Sequence, residues 1–451
     1  MQARHAHRVQ VLVAGQAVEA PAIRHNPESF QEHLREARAR YGAAKCLCQP
    51  VQLNLVIRER EGKLFLAAWP NDAERHALDC PFYGEKHTGR TQYADSAISS
   101  EGERTALRLG HSLIQHGRNA EPGPGVHAPA APAPQPAATP RSPAKEKLHT
   151  WGLLHYLWEN AGLNRWYPGW TRDWGFTRYA LRRAAESTDV GGKPLLQHLY
   201  IPEVWNEARK AEIRAHWREF CAPLHRQHRR SPSVASGFVI GLVRELAPTE
   251  YGYAIKLHHH AERFWMDATL SDNLARFSRR GWAALKHLEV SAAPEEKPYV
   301  IAALRVEATH TGRLTVVDGA LMRVSPRYIP VNSSFEDHLA RVLVEQDRQF
   351  VRPLHYDNHN LALPDFILKD VDASYSGTDG NGHARSVALH VYGPSILPIQ
   401  KARLTALDRK NAETVGLAFW EWYVADQGQP PALPPARPRH TRAGPINSQS
   451  A

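Results

Sequence analysis

From Arg118 to Ala144 the chain reads RNAEPGPGVHAPAAPAPQPAATPRSPA, alanine and proline with no apolar periodicity. Proline removes the amide donor and fixes φ, so neither a helix nor a central strand can run through this tract. Its composition is that of an extended, solvated tether. The tract divides the 451 residues into an N-terminal module (1–117), a flexible Pro/Ala linker (118–147) and a body. A second Pro- and Arg-rich stretch, 426–451, reads as a disordered tail. Changes of pattern divide the body into a helical, Trp-rich basic region (148–233), a mainly β region (234–327) and a mixed α/β core (328–425). The fold class expected is therefore α+β and multi-domain.

Hydrophobic residues make up 42% of the chain and aromatics 9%, enough for packed cores. No apolar run approaches the roughly 18 residues of a membrane span, and the longest, Phe238–Val243, reads as a buried strand. The N-terminal run Val9–Gly15 is too short for a signal peptide. Four cysteines are too few for a disulfide scaffold and fit a reducing cytoplasm. Collagen, coiled coil, membrane transporter and small secreted toxin are thereby excluded. Lys+Arg number 56 against 46 Asp+Glu, a net +10, which favours a polyanionic partner, DNA above all.

The N-terminal module begins with a strand at Val9–Val13. Two runs, Val51–Arg58 and Lys63–Trp69, flank Glu59-Arg60-Glu61-Gly62 and read as a β-hairpin. Ser99–Gln115, with Ala106, Leu107, Leu109 and Leu113, reads as a helix. Cys46-Leu-Cys48 precedes the hairpin and His76-x-x-x-Cys80 follows it, so the hairpin brings both pairs to its open end. Residues i and i+2 of an extended segment point the same way, and residues i and i+4 of a helical turn share a face. Cys46, Cys48, His76 and Cys80 therefore form a closed tetrahedral donor set of the structural-zinc type. The plain alternative is three reduced thiols and a surface histidine. Cys221 reads as a small core residue.

In the body, Trp151, Leu154, Trp158 and Ala161 recur at helical spacing, with Gly162 at the C-cap. Residues 145–230 hold 15 Lys+Arg against 9 Asp+Glu. Arg165, Arg172, Arg178, Arg182 and Arg183 interleave with Trp166, Tyr167, Trp170, Trp174 and Tyr179. Arginines contact phosphates and rings stack on bases, but tryptophans at this spacing also build cores. Leu153–Ala185 leaves room for a helix-turn-helix. His258-His259-His260 cannot converge on one ion and reads as an exposed strand end. Strands are expected at Phe238–Val243, Tyr251–Leu257, Tyr299–Ala308 and Leu314–Val317, with a helix at Ser271–His287.

From Asn332 the expected order is a helix (Ser334–Gln349), strands near Leu354, through Leu363–Leu368 and at Ser386–Tyr392, a helix (Pro398–Lys410) and a strand (Val415–Trp420). This run resembles the core of the PD-(D/E)xK, restriction-endonuclease-like, nuclease superfamily. The resemblance implies a Mg²⁺ site built from a helix glutamate, Glu336, and the aspartate of a Pro-Asp pair, Asp365. The third acid position holds His390 and the lysine position holds Tyr392, with Lys401 on the next helix as a substitute lysine. Two features weigh against catalysis: histidine suits a hard cation poorly, and Ser333-x-x-Glu336 also reads as a capping box.

Taken with Arg327–Ser333, Arg348-x-Phe350, Pro353-Leu354 and Leu363–Phe366, the cysteine pairs and Leu153–Trp170 resemble the bacterial family called domain of unknown function 1173. That resemblance implies integrative conjugative elements and plasmids as the setting. The function expected is a DNA-associated accessory protein of a mobile element, with a degenerate nuclease-like domain used for binding. An active Mg²⁺-dependent nuclease and a protein-interaction scaffold stay open as alternatives.

Overall fold

The computed structural model describes residues 9–438 apart from 61, 70–74, 78–79, 83–96, 102–103, 112, 116–146, 231–233, 291–296, 355, 357–362, 380–381 and 383. The linker, save Lys147, and residues 439–451 of the tail lie outside the described residues.

The N-terminal unit comprises β1 (Gln10–Val13), β2 (Gln16–Glu19), α1 (Ala20–His25), α2 (Gln31–Tyr41), β3 (Ala43–Cys46), β4 (Leu53–Arg60) and β5 (Lys63–Ala68). Its sheet runs β2-β1-β3-β4-β5, every pairing antiparallel. Alternation puts Leu53, Leu55 and Ile57 of β4 and Leu64 and Leu66 of β5 on one face, buried with Leu34 and Ala37 of α2. The β4–β5 hairpin is the one read from the sequence.

The next segment departs from expectation. Ser99–Gln115 is not a helix but β6 (Ile98–Glu101), β7 (Arg104–Leu107) and β8 (Ile114–Gln115). The reason is tertiary. Then come α3 (Thr150–Asn160), β9 (Arg165–Trp166), α4 (Trp174–Glu186), β10 (Thr188–Val190), β11 (Lys193–Pro194) and β12 (Leu199–Tyr200). β7 pairs in parallel with β10 in a sheet ordered β11-β10-β7-β6. Ala97, Ile98, Leu107 and Leu113 are buried in one cluster with Leu153, Leu157 and Trp158 of α3 and Leu181 of α4. The module expected to end at 117 thus gives its last strands to the body.

The two ends of the linker are also joined. Gly110 N donates to Leu148 O (2.7 Å) and Leu148 N donates to Arg108 O (2.9 Å), a parallel bridge between Leu109 and Leu148. The described residues on the two sides of the Pro/Ala tract thus belong to one core, not to independent halves. No helix-turn-helix forms in Leu153–Ala185 either. Between α3 and α4 the chain runs out to β9, which belongs to the last sheet.

Then follow α5 (Lys210–Arg230), β13 (Val234–Thr249), β14 (Gly252–Leu257), β15 (Arg263–Asp267), α6 (Ala268–Phe277), α7 (Arg279–Val290), β16 (Tyr299–Ala308) and β17 (Leu314–Val324). β13 pairs with β16 over Ser236–Leu242 and with β14 from Val243 onward, and its register shifts where the partner changes. Further pairings, β14–β15, β15–β17 and β17–β16, close a ring of five strands. Both faces of this sheet are covered, so its strands read as continuous apolar runs. Phe238, Ile240 and Leu242 face α3 and α4, while Val239 and Val243 face α5, α6 and α7. α7 lies against β17 at Gly281, where an added Cβ would stand 2.1 Å from Leu321 O. Cys221 is buried in this second cluster, as expected. Of the three histidines, only His259 is exposed; His260 packs edge-on against Trp217 (4.4 Å between centroids).

The last unit contains α8 (Ser334–Glu345), β18 (Phe350–Val351), β19 (Phe366–Leu368), α9 (Ala373–Ser376), β20 (Val387–Tyr392), α10 (Pro398–Thr414) and β21 (Ala418–Tyr423). The expected helix–strand order is present, in a sheet ordered β21-β20-β19-β18-β9. β20 and β21 are parallel and the other pairs antiparallel. The tail, expected to be disordered from 426, is laid over this unit as far as 438. Trp422 Nε1 donates to Gln427 O (2.8 Å), Trp420 Nε1 to Ala432 O (3.1 Å) and Arg348 Nη1 to Pro434 O (2.8 Å). Buried indole and guanidinium donors need acceptors, and the Pro-rich segment offers carbonyls.

Because the core is shared across the linker, a cut within the linker should not separate the chain. With a specific protease site placed after Pro132, the two cleaved fragments should co-elute as one species on size exclusion under native conditions. Elution as two separate folded species would contradict the shared core.

Candidate functional site

Two clusters of chemically capable side chains stand out. In the first, β3 ends at Cys46, opposite Leu53 of β4, and the chain returns from the hairpin to His76 and Cys80. Cys46 Sγ lies 3.4 Å from Cys80 Sγ, Cys48 Sγ 3.3 Å from His76 Nδ1, and Cys80 Sγ 3.5 Å from the same nitrogen. All four donor atoms lie within 4.8 Å of one another. Backbone amides of Ala77 and Phe82 point at Cys48 Sγ (3.3 Å) and Cys80 Sγ (3.4 Å). Neighbouring thiols and burial push Cys80 up, while the flanking sulfur donors push Cys48 down. The sequence placed these four residues together, and so does the fold. They could hold a metal ion.

The second cluster lies where α8 meets β19 and β20. Ser333 caps α8, its Oγ accepting from Glu336 N (3.1 Å), and Glu336 Oε2 accepts from Asn332 N (2.9 Å), one residue before the cap. Asp365 sits just ahead of β19, not within it. Its Oδ2 accepts from Val391 N (2.8 Å), so the side chain stands in for a strand carbonyl at the β20 edge.

Between the two acids stands a residue that the sequence reading passed over. Arg352, with its side chain 3% exposed, donates through Nη2 to Glu336 Oε2 (2.9 Å) and stands 3.8 Å from Asp365 Oδ1. Its Nη1 donates to the carbonyls of Asp365 (2.8 Å) and Pro364 (3.2 Å). With its amide oxygen turned toward them, Asn332 accepts from Arg280 Nη1 (2.9 Å) and from Arg352 Nη2. The guanidinium occupies the place between carboxylates where a cation would sit. The one signal in the sequence was Arg348-x-Phe-x-Arg352, alternating along a strand edge. Arg348 is likewise buried, on Asp370 (3.1 Å).

The remaining expected catalytic residues take other partners. His390 Nδ1 is 3.5 Å from Asp408 Oδ2, which also accepts from Tyr392 Oη (2.8 Å). Burial lowers the His390 pKa, and Asp408 opposes that. Lys401 Nζ is paired with Glu421 Oε1 (2.8 Å), whose other oxygen accepts from Thr405 (2.9 Å). Lys401 thus closes a contact between α10 and β21 and makes no contact with Glu336 or Asp365 among the described residues.

The basic segment divides. Arg172 is buried, donating to Leu163 O (2.6 Å) and Arg165 O (2.7 Å), and burial lowers its pKa to about 9. Arg178 donates to Ile201 O (3.1 Å) and pairs with Glu203 (3.0 Å). These two hold the backbone and are not presented to a nucleic acid. Arg182 is half-buried on α4, while Arg165 and Arg183 line a cleft facing the β4–β5 hairpin.

Burial, then the nearby Asp365 carboxylate, pushes Glu336 up to about 7 from its ordinary 4.5. An acid raised on folding contributes stability that is fully present below its unfolded pKa and is lost as pH rises from there through the folded one. The wild-type protein should therefore lose about 1–3 kcal/mol between about pH 5 and about pH 8 through this group. Glu336→Gln, which keeps an acceptor for Arg352, should lack that fall. Urea melts at both pH values check it, and identical pH slopes in the two proteins would contradict the assignment.

The sequence matches the family described as protein of unknown function DUF1173 over residues 17–425, so the chain belongs to that family. Neither a curated protein nor a solved structure matches it.

Proposed function

We propose that this member of the DUF1173 family is a zinc-stabilised, DNA-associated accessory protein whose last α/β unit is a nuclease-like core used for binding and not for cutting. The observation that carries the non-catalytic reading is the Arg352 guanidinium between Glu336 and Asp365. A Mg²⁺ ion needs about six oxygen ligands at about 2.0–2.1 Å. Here the two acids are already committed to a guanidinium and to the backbone amides of Asn332 and Val391. His390 and Tyr392 are turned to Asp408. One observation favours the second reading, an active Mg²⁺-dependent nuclease: Glu336 and Asp365 do meet.

The association reading rests on the net charge of +10 and on arginines set beside exposed rings. The mobile-element and cytoplasmic setting rests on the family resemblance and on the free thiols. Among the described residues no helix is long and apolar enough to cross a membrane.

Zinc fits the Cys₃His group. Bonds of about 2.3 Å to sulfur and about 2.0–2.1 Å to nitrogen give a tetrahedron with edges of roughly 3.5–3.8 Å; three of the six separations among Cys46, Cys48, His76 and Cys80 are 3.3–3.5 Å and all lie within 4.8 Å. Three thiolates and an imidazole leave no open position, so the ion would serve structure. Protein purified without added metal should carry about one zinc per chain, and Cys48→Ala should carry little and melt lower. Equal metal content in the two would end this assignment.

Duplex binding should weaken steeply between about 50 and about 200 mM salt as phosphate counterions are released. Incubation with Mg²⁺ or Mn²⁺ should leave duplex and single-stranded DNA intact. Robust metal-dependent turnover that Asp365→Ala abolishes would overturn the non-catalytic reading in favour of the nuclease. Salt-insensitive DNA binding, or none, would favour the protein-interaction scaffold.

A further inference from the structure

A cleft of about 510 Å³ separates the β4–β5 hairpin from α4 and the C-terminal end of α3, a size ordinary for a bound small molecule or a short stretch of polymer. Arg24 of α1 reaches into its floor. The guanidinium lies 5.6 Å over the ring of Phe82, and a Cβ added to Gly162 would be 3.8 Å from its Nη2. Burial drives the Arg24 pKa down. Among the described residues, no carbonyl or carboxylate accepts a hydrogen bond from it. The C-terminal dipole of α3 favours a positive charge there. The side chain is only partly buried, so its donors stay open to an anion that enters the cleft.

The rest of the lining narrows what would supply it. Arg58, Arg165 and Arg183 face the same space. Three acids line it too: Glu59, paired with Arg38, Glu159, which accepts from Tyr356 Oη (2.6 Å), and Glu186. Rings stand among the arginines. Tyr179 of α4 is 43% exposed, and the Arg183 guanidinium lies 3.7 Å over Phe65 and 5.7 Å from the Tyr179 ring. Guanidinium groups for phosphate and exposed ring faces for bases are the combination that holds unpaired nucleic acid. An acidic peptide would use the arginines and leave the rings idle. A duplex keeps its base faces stacked inside, whereas an unpaired strand can offer them to such rings.

We propose that this cleft grips a single nucleic-acid strand, a phosphate on Arg24 and a base against Tyr179. The proposal rests on the DNA-associated reading and narrows it to an unpaired strand held between the metal-bearing unit and α4.

The test uses the full-length protein and a fluorescent oligothymidylate of roughly 20 nucleotides, read by anisotropy at about 50 mM salt. Arg24→Gln should weaken binding about tenfold or more, with Arg24→Lys recovering most of the loss, and Tyr179→Ala should weaken it roughly five- to tenfold. Arg403→Gln, an exposed charge on α10, should change it less than about twofold. Thermal melts establish that each variant is folded, and if Arg24→Gln is not, the exposed Tyr179 decides the matter. If the wild-type protein binds no DNA, the DNA-associated reading itself falls, and this one with it. If it binds DNA but the cleft variants behave like Arg403→Gln, this inference alone falls. If thymidine monophosphate competes as well, per nucleotide, as the oligomer, the cleft serves a free nucleotide and the strand assignment is overturned.

Discussion

A buried guanidinium can be kept in a protein only where acceptors surround it, and around Arg352 they come from two parts of this chain. Its side chain is bound by Asn332 and Glu336 at the start of α8 and by carbonyls just ahead of β19. Its backbone is tied to the α3–α4 connection, with its amide on Asn164 O (2.7 Å) and its carbonyl accepting from Asn164 Nδ2 (3.1 Å). Breaking a buried pair of this kind costs about 3–5 kcal/mol. The same contact is what the proposed non-catalytic reading rests on, since it commits both carboxylates to an internal cation. Two acids against one close guanidinium also leave an excess of negative charge, and Glu336 is raised for that reason as well as for its burial.

The other constraint is that the chain crosses between its units more often than its linker suggests. β9 leaves the helical region to edge the last sheet, and β6 and β7 leave the N-terminal segment to pair beside α4. Each crossing ties two units by backbone hydrogen bonds, which are too costly to leave unmade in a buried interface. The units are therefore mutually dependent in packing, and the walls of the cleft beside α4 come from both sides of the Pro/Ala tract.

What could be read from the sequence follows from how local each signal is. Three of four cysteines at the two ends of one hairpin define their own geometry, so the Cys₃His group was legible. The α8-to-β21 order was legible because each element is long enough to show its period. β6 and β7 were not, because four-residue strands carry too little alternation and their partner, β10, lies beyond the linker. Arg172 and Arg178 looked like surface charges interleaved with rings. Only the fold reveals that carbonyls of Leu163, Arg165 and Ile201 wait for them. The Pro-rich residues after 426 looked disordered by composition. They are ordered as far as 438 because Trp420, Trp422 and Arg348 need their carbonyls, a demand no compositional rule can see.

The Cys₃His group and the cleft are not separate features. Cys80 lends its carbonyl to Tyr167 Oη (3.4 Å), and Tyr167 lines the cleft. Two residues on, Phe82 lies beneath Arg24. Cys80 and Phe82 are held by the thiol–imidazole cluster, by the amide of Phe82 on Cys80 Sγ and by the apolar core of the N-terminal unit. An ion bound by Cys46, Cys48, His76 and Cys80 would fix that segment against β3, and through it set where the Arg24 guanidinium stands relative to α3. On the proposed reading, a closed metal group beside a cationic cleft would have a physical role beyond the stability of its own small unit. It would keep the Arg24 side of the cleft rigid while the opposite side rides on α4, so the gap between Arg24 and Tyr179 is set before any ligand arrives.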